Sequence, residues 1–401
     1  MPGLTGSGRE RPPSRTERVA SPGSDTANDP HAPLIIAEIG TAHRGDLGRA
    51  RELISAAAEA GADCAKFQWV ITDEILHPAT GSVRLPGGDI DLYSRFRSLE
   101  QPPAFFAQLK QLCADARISF LCTPFGPGSA AGLADLGVER YKIASPELNH
   151  LPLLRQVAAY GKPMILSTGV STLADIERAC SVCATVEVTL LHCITAYPAR
   201  EEEYNLAVIP HMAALFGVPV GVSDHSLDPI LVPALATALG AAAIEKHITL
   251  SRSDPGLDDP IALVPDDFAE MVRAVRRGAA DHASRLPGSE CPPGTACPPG
   301  TEWLIERYGE SRVTTVMGSG KKTLAPGEAA NHGRSNRSIR AVRDIAAGAQ
   351  VTAADVALLR SEHNLEPGLP PWALDTVVGS QTTRAVADGT GLSWSDLIRR
   401  A

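Results

Sequence analysis

The sequence predicts a (β/α)8 barrel followed by a small compact unit, and three observations support this prediction. Between Leu34 and His247, a short run rich in Val, Ile, Leu, Ala and Phe alternates eight times with a helix-like stretch. Strands that alternate with helices form a parallel sheet, and eight such units in about 200–250 residues are typical of a closed barrel. Each run also ends in polar residues, as strands do at the catalytic face of such a barrel. The pattern stops near Arg276, and short strand-like runs between glycine turns begin again at Ser338.

The predicted strands follow one another at regular spacing along the chain. They span residues 33–40, 63–68, 119–123, 140–145, 163–168, 188–193, 219–225 and 241–247. Their polar ends are Glu38, Lys66 with Gln68, Thr123, Lys142 with Ser145, Ser167 with Thr168, His192, Asp224 with His225, and Glu245 to His247. A helix is predicted over residues 50–61, since glycine often follows a helix end. A long insert follows the second strand, and we expect residues 70–100 to form a lid or rim of the pocket.

The segments outside the barrel differ in composition. Residues 1–32 lack the apolar core of a signal peptide and are rich in Pro, Ser, Gly and charge, which predicts a disordered tail. We assign residues 33–278 to the barrel, 279–335 to a linker with a Pro/Gly-rich insertion, and 336–401 to the small domain. The small domain is short for an independent core, so we expect it to pack on another surface.

Composition excludes several classes of protein. The chain has 401 residues, of which 44% are hydrophobic and 21% charged, as in ordinary globular proteins. A formal net charge of -9 argues against a nucleic-acid partner. No stretch approaches the roughly 18 apolar residues of a membrane span, and we expect a cytoplasmic location.

The eight cysteines do not indicate a zinc site. Cys180 and Cys183 form a C-x-x-C pair on a helix-like segment, with no second pair at zinc spacing. Cys291 and Cys297 lie in a Pro/Gly segment, and a reducing compartment disfavours their pairing.

Two histidines end consecutive predicted strands, His225 in SDHS and His247 in EKHIT. Their imidazoles should therefore face each other across the barrel mouth. Imidazoles are frequent metal ligands, and an oxygen-rich remainder of water and substrate would favour Mn or Mg. The alternative is a pair of hydrogen-bonded histidines acting as acid, base or structural groups.

Lys66 and Lys142 each lie within an otherwise apolar strand. Two ammonium groups on one face repel each other unless an anion lies between them. The hydroxyls expected at the same level suit a phosphate; they belong to Ser145, Ser167, Thr168 and Ser223. Two alternatives remain open: a Schiff base on one lysine, as in barrel aldolases, and structural ion pairs with Glu38, Glu147 or Glu245.

Carboxylates fall on the same face. Glu38, Glu147, Asp224 and Asp258 are candidates for proton transfer, hydroxyl recognition or support of a histidine. Asp224 and Glu245 neighbour the two histidines and are better candidates for support than for acting as bases.

The ordered set of motifs resembles the sialic acid synthase (N-acetylneuraminate synthase) family. The matching segments are IIAEIGTAHRGD (35–46), AGADCAKFQ (60–68), TPF (123–125), YKIASPEL (141–148), GKPMILSTG (161–169), LLHCITAYP (190–198), GVPVGVSDHS (217–226) and AAIEKHITL (242–250). They cover the whole barrel in order. At the C-terminus, NRSIRAVRDIAAGAQVT (336–352) is similar to the antifreeze-like (β-clip or SAF-type) domain that these enzymes carry.

The resemblance implies a metal-dependent condensation of phosphoenolpyruvate with an open-chain 2-acylamino sugar, giving a nonulosonate and phosphate. His225 and His247 correspond to the ligands of Mn2+ or Mg2+. The catalytic residues correspond to Glu38, Lys66, Lys142 and Asp258. The phosphoenolpyruvate site corresponds to Lys66, Thr123, Lys142, Ser145, Ser167, Thr195 and Ser223. The sugar site corresponds to Glu147, Tyr197, Asp258 and Arg337, and Arg337 would come from the partner's small domain in a domain-swapped homodimer.

Four positions depart from the family pattern. Ala42 and Thr195 replace asparagines, Asp259 replaces a histidine, and Pro146 replaces a glycine. The acceptor is therefore left open between N-acetylmannosamine, a legionaminate- or pseudaminate-type precursor, and another specialised aldehyde. Two other hypotheses for the function of this chain are a lysine-dependent aldolase on the same barrel and a surface-binding module on a degenerate barrel.

Overall fold

The computed structural model describes residues 32–85, 88–283, 298 and 300–398. The predicted tail, apart from residue 32, lies outside the described residues, as do Cys291 and Cys297.

In the described part of the chain before residue 250 there are ten strands. They are β1 (Leu34–Gly40), β2 (Cys64–Trp69), β3 (Ser82–Leu85), β4 (Gly88–Asp91), β5 (Ser119–Pro124), β6 (Tyr141–Ile143), β7 (Met164–Ser167), β8 (Val188–Cys193), β9 (Val220–Asp224) and β10 (Ala243–His247). All except the β3–β4 hairpin form one parallel sheet in the order β5-β2-β1-β10-β9-β8-β7-β6. The edge strands β5 and β6 lie side by side, so the sheet nearly closes. The predicted barrel is confirmed.

Nine helices in the described residues belong to the barrel. They are α1 (Leu47–Glu59), α2 (Leu92–Arg97), α3 (Pro103–Asp115), α4 (Pro127–Asp135), α5 (Leu151–Ala159), α6 (Leu173–Val182), α7 (Val208–Phe216), α8 (Leu231–Ala238) and α9 (Pro265–Ala283). Local sequence sets several of their ends. Asp46 accepts a hydrogen bond from the Arg49 amide at the start of α1, and Thr172 with Asp175 forms a capping box on α6. Gly217 ends α7 with φ 66°, a conformation that glycine adopts easily.

The barrel interior is layered because strand side chains alternate between the two faces of the sheet. The first inward layer is apolar and contains Ile36, Cys64, Leu121, Ile165, Leu191 and Ala243. Two residues further along the same strands, the inward positions are Glu38, Lys66, Thr123, Ser167, Cys193 and Glu245, all of them buried. On β9 a Cβ at Gly221 would lie 2.2 Å from the Ala243 carbonyl oxygen, which explains the glycine there. The polar layer at the C-terminal mouth therefore stands on an apolar floor.

Three strands end one or two residues earlier than the sequence predicts, and one of them, β7, stops at Ser167. β6 stops at Ile143, so Ser145 begins the 3-10 helix Ser145–Glu147 instead of ending the strand. Pro146 explains this, since proline lacks the amide hydrogen that a strand ladder requires. β9 stops at Asp224, which places His225 just beyond the strand.

The small domain has its own sheet pairs and core. β11 (Arg337–Ala341) pairs antiparallel with β12 (Val356–Arg360), and β13 (Gln381–Thr382) pairs with β14 (Leu397–Ile398). A short helix, α12 (Leu374–Val377), lies between the two pairs in the sequence. Its core includes Ile339, Ala341, Val351, Val377 and Leu392.

The small domain packs on the insert that follows β2. The Arg360 amide donates to the Ile75 carbonyl at 2.9 Å, and the Asn364 side chain donates to the Thr80 carbonyl at 2.8 Å. The insert also contains the β3–β4 hairpin and α2. Within the described residues of the insert, 70–85 and 88–100, the segment around Ile75 and Thr80 thus receives the small domain.

The described part of the linker contains helices that its composition does not indicate. α9 continues to Ala283, beyond the predicted end of the barrel at 278. Two further helices, α10 (Glu302–Tyr308) and α11 (Glu310–Met317), pack against α8. Among the described residues, no helix is long and apolar enough to cross a membrane.

Candidate active site

Glu38 lies at the centre of the catalytic face. In the sheet register it is the partner of Lys66 on one side and of His247 on the other. The Lys66 ammonium lies 2.8 Å from the Glu38 carboxylate, and the Gln68 amide donates to the same carboxylate at 2.7 Å. Three adjacent strands therefore bring a carboxylate, an ammonium group and an imidazole to one level.

Glu245 lies between the two predicted lysines. Its carboxylate is 3.7 Å from the Lys66 ammonium and 3.4 Å from the Lys142 ammonium. The structural ion pairs considered as an alternative are thus present for both lysines. Since Glu38 and Glu245 balance two positive charges, the four groups together carry little net charge.

Burial and charge shift the pKa values of these groups in different directions. Burial raises the pKa of Glu245, but Lys142 and Lys66 outweigh it and bring that pKa down to about 2. Burial lowers the pKa of Lys142, and the positive charge of Lys66 lowers it further. Glu245 raises this pKa, but the pKa of Lys142 stays below that of an ordinary lysine. Burial also acts to lower the pKa of Lys66, yet Glu245 and Glu38 raise it overall. Lys142 is therefore the more easily deprotonated amine.

Hydroxyl groups surround the two ammonium groups. Lys142 donates to the Ser167 hydroxyl at 2.7 Å, and Lys66 lies 3.4 Å from the Thr123 hydroxyl. The Ser223 hydroxyl donates to Glu245 at 3.0 Å. The predicted phosphate-binding residues of β2, β5, β6, β7 and β9 are thus brought together.

Ser145 and Thr195 complete this side of the site through the backbone. The Ser145 hydroxyl accepts from the Gly169 amide at 3.0 Å. The Thr195 amide donates to the linker residue Glu328 at 2.9 Å, and the Thr195 hydroxyl lies 4.0 Å from the Cys193 sulfur. Ser145 is therefore held by the loop that follows β7, and Thr195, in the loop that follows β8, is held by the linker.

The two predicted metal ligands face each other. The ring centres of His225 and His247 are 5.5 Å apart, and the Tyr197 ring lies 4.3 Å from that of His225. His225 Nδ1 lies 2.8 Å from the Ile194 carbonyl, which holds a proton on Nδ1 and makes Nε2 the ring nitrogen that could bind a ligand. Asp258 lies 3.8 Å from His247 Nδ1.

The donor set fits a metal that takes only part of its ligands from the protein. Among the described residues, no group of three or more His, Cys, Asp or Glu side chains is arranged to hold an ion. Two imidazoles beside an open mouth leave the remaining positions to water and substrate oxygens, as Mn and Mg accept. Burial lowers the pKa of His247 to about 3, so this imidazole is neutral, as a metal ligand must be. Burial also acts to lower the pKa of His225, but Cys193 outweighs it and raises that pKa to about 9, so His225 would have to lose a proton on binding a cation.

The small domain supplies two arginines to the sugar side of the predicted site. One oxygen of the Glu147 carboxylate, Oε1, lies 3.0 Å from Arg337 and 2.6 Å from Arg360. The other oxygen, Oε2, is buried and has no hydrogen-bond partner among the described residues. Within one chain, Arg337 thus reaches Glu147 of its own barrel, and its contact with the acylamino group of the sugar stays a prediction. The exchange of small domains between subunits stays a prediction.

Two acidic side chains have structural roles that the sequence did not reveal. Asp224 was expected to support a histidine, but it pairs with buried Lys246 at 2.6 Å and accepts from the Ser226 amide at 2.8 Å. Asp259 accepts from the Thr249 hydroxyl at 2.6 Å and from the Gly256 amide at 2.8 Å. Asp259 therefore folds the loop that carries Asp258.

Three side chains near the site were not predicted as functional residues: Arg360, Glu328 and Gln68. Arg360 is the one charge in the apolar run of β12, and this was an available signal. Glu328 lies in a segment without periodicity, although the A-P-G-E pattern there has the spacing of a capping box.

Comparison with known proteins agrees with this geometry. Residues 53–284 match the NeuB family, and residues 336–398 match the SAF domain. Spore coat polysaccharide biosynthesis protein SpsE of Bacillus subtilis is 34% identical over 91% of this chain and 93% of its own length. The N,N'-diacetyllegionaminic acid synthase of Legionella pneumophila is 31% identical over 91% of this chain and 94% of its own. The crystal structure of the Bacillus subtilis SpsE protein superposes with a TM-score of 0.75 at 33% identity, covering 92% of this chain and 96% of that one.

A nearly closed parallel barrel with two lysines and two histidines at the C-terminal ends of its strands has the architecture of a (β/α)8-barrel enzyme. The chain belongs to the NeuB family of sialic-acid-type synthases and ends in a SAF domain. The predicted family resemblance is confirmed.

Proposed function

We propose that this enzyme condenses phosphoenolpyruvate with an open-chain 2-acylamino sugar to give a nonulosonate and phosphate, using Mn2+ or Mg2+. The relative from Legionella pneumophila, named as a legionaminic acid synthase, supports this substrate class. The observation that carries the proposal is the register of Glu38, which places the lysine side and the histidine side of the site on one face.

Phosphoenolpyruvate would bind on the lysine side. Lys66 and Lys142, with the hydroxyls of Thr123, Ser145, Ser167 and Ser223, offer donors to a phosphate and a carboxylate. Glu38 and Glu245 already balance the two ammonium groups. A strongly anionic substrate therefore requires additional positive charge in the same cavity, which favours a divalent cation at His225 and His247.

The sugar would bind between the histidines and the small domain. Glu147 Oε2, buried without a partner in the described chain, can accept a hydrogen bond from a sugar hydroxyl or an acylamino group. Arg337 and Arg360 both form ion pairs with Glu147, and the exposed ring of Tyr197 flanks the same opening. A cation bound at the histidines would polarise the sugar aldehyde.

The side chains suggest how protons move. The enol carbon attacks the aldehyde, and the new alkoxide requires a proton. Burial raises the pKa of Asp258, which makes this neighbour of His247 a suitable acid. Water then adds to the carbon that bears the phosphate, and Glu38 can take its proton. Phosphate leaves by C–O cleavage toward Lys66 and Lys142.

An isotope experiment tests this sequence of bonds. Phosphoenolpyruvate with 18O in the bridging enol position is incubated with the enzyme, Mn2+ and an amino sugar. C–O cleavage carries the 18O into the released phosphate. Finding the label in the keto product instead would show P–O cleavage and overturn the proposal.

A lysine Schiff-base aldolase is the second candidate, favoured by the lowered pKa of Lys142. The identity of the acceptor, between N-acetylmannosamine and a related aldehyde, is left to a substrate panel. A swapped homodimer and a cytoplasmic location stay predictions.

A further inference from the structure

The linker contributes a buried carboxylate to the phosphate side of the barrel mouth. Glu328 is fully buried, and its Oε1 accepts from the Val170 amide at 2.7 Å and the Thr195 amide at 2.9 Å. Its Oε2 accepts from the Ala325 amide at 3.2 Å within the linker. One side chain therefore joins the linker to the loops that follow β7 and β8.

The loop after β7 has a conformation that needs such support. Val170 has a φ of 43°, a left-handed conformation that is unfavourable for a β-branched residue. Two more side chains bind this loop, one from the linker and one from the start of the small domain. Lys322 of the linker donates to the Thr168 carbonyl at 3.2 Å, and Asn336 of the small domain donates to the Val170 carbonyl at 3.2 Å. Glu328 and Asn336 thus hold both backbone polar groups of Val170.

The loop that follows β7 holds side chains of the proposed phosphate site in position. It directly follows Ser167, the hydroxyl partner of Lys142, and its Gly169 amide donates to the Ser145 hydroxyl at 3.0 Å. A Cβ on Gly169 would lie 2.0 Å from the Thr195 hydroxyl, so the two loops are in close contact. A shift of Val170 would therefore displace the hydroxyls that are expected to bind phosphate.

We propose that Glu328 is a positioning residue, and that the linker, by holding residues 168–170 and Thr195, is part of the phosphate side of the active site. The identity of the ligand as phosphoenolpyruvate rests on the proposed function. Asn336, the first residue of the small domain, immediately precedes Arg337, so the contacts to the phosphate side lead directly into the arginine that closes the sugar side.

Full-length Glu328→Gln and Glu328→Ala test this role, with exposed Glu306→Gln in α10 as the matched control. Glutamine keeps one neutral acceptor, whereas alanine removes both oxygens, so the alanine variant should be more impaired. We expect Glu328→Gln to raise the KM for phosphoenolpyruvate about tenfold, a change of roughly 1.4 kcal/mol, with a much smaller effect on the KM for sugar. Glu306→Gln should leave both constants unchanged.

Hydrogen exchange supplies a readout that does not require activity. In Glu328→Gln the amides of Val170 and Thr195 should exchange about tenfold faster than in the wild type. Unchanged exchange, or equal increases in both KM values, would overturn the positioning role. If the wild-type chain consumes no phosphoenolpyruvate, the proposed function fails. The exchange rates then decide the positioning role alone.

Discussion

The guanidinium group of Arg337 lies 3.0 Å from the carboxylate of Glu147, and both side chains are fully buried. Arg337 begins the first strand of the small domain, and Glu147 follows the fourth strand of the barrel. This ion pair therefore closes the barrel mouth with a domain that lies nearly 200 residues further along the chain.

Arg337→Ala should weaken both sugar binding and the attachment of the small domain. Removing one member of a buried ion pair leaves the other uncompensated and typically costs about 3 kcal/mol or more. We expect the KM for the sugar to rise at least tenfold and the unfolding temperature to fall. Steady-state kinetics and thermal unfolding measure the two effects.

The control is Arg384→Ala, in which a largely exposed arginine that pairs with Asp396 is removed from the same domain. A KM for the sugar that is unchanged in Arg337→Ala would show that the small domain has no part in sugar binding.

His225→Ala and His247→Ala should each abolish release of phosphate while the barrel stays folded. Each imidazole would supply one of the two protein ligands of the cation, and neither forms part of the apolar core. Calorimetric titration with Mn2+ should show binding in the wild type and none in either variant. His363→Ala, an exposed position, serves as the control. Near-normal turnover in both variants would refute the metal assignment.

The pH dependence of kcat/KM for phosphoenolpyruvate should report the loss of the positive charge of Lys142. Burial lowers the pKa of this ammonium, Glu245 raises it and Lys66 lowers it further, leaving it below the ordinary lysine value. The charged form, which binds the anion, is present below this pKa and is lost as pH rises. We expect kcat/KM for phosphoenolpyruvate to fall on the alkaline side, since this ratio reports groups of the free enzyme.

Lys142→Arg should move that alkaline limb to higher pH, because a guanidinium group stays charged. The exposed Lys162→Arg should leave the limb in place. If the pH profile of Lys142→Arg were identical to that of the wild type, the fall in kcat/KM on the alkaline side would belong to a group other than Lys142.

Borohydride trapping separates the two enzyme candidates. With pyruvate or phosphoenolpyruvate present, we expect no covalent adduct on Lys66 or Lys142, since both ammonium groups are engaged by carboxylates. Mass spectrometry of the intact chain measures this. An adduct on either lysine would favour the aldolase.

The alternation of apolar and polar residues was enough to predict the barrel and most of the catalytic face. Lys66 and His247 lie within strands, where period-two geometry fixes the direction of their side chains, whereas His225 lies just beyond β9. The position of Glu245 between two lysines was not predictable, because spacing along one strand does not say which neighbours meet across a barrel.

Arg360 and Glu328 were missed for a different reason. They act on residues more than 130 positions earlier in the chain, and only tertiary packing brings them there. The linker has no periodicity from which such contacts follow.

The most direct test of the central claim is release of phosphate from phosphoenolpyruvate across a panel of open-chain amino sugars. The panel includes N-acetylmannosamine and diacetamido sugars, each with Mn2+, with Mg2+ and with chelator. Release that requires both one of these sugars and a divalent cation is the predicted result. Release without any sugar, or none with every sugar, would contradict a condensation of two substrates at one site.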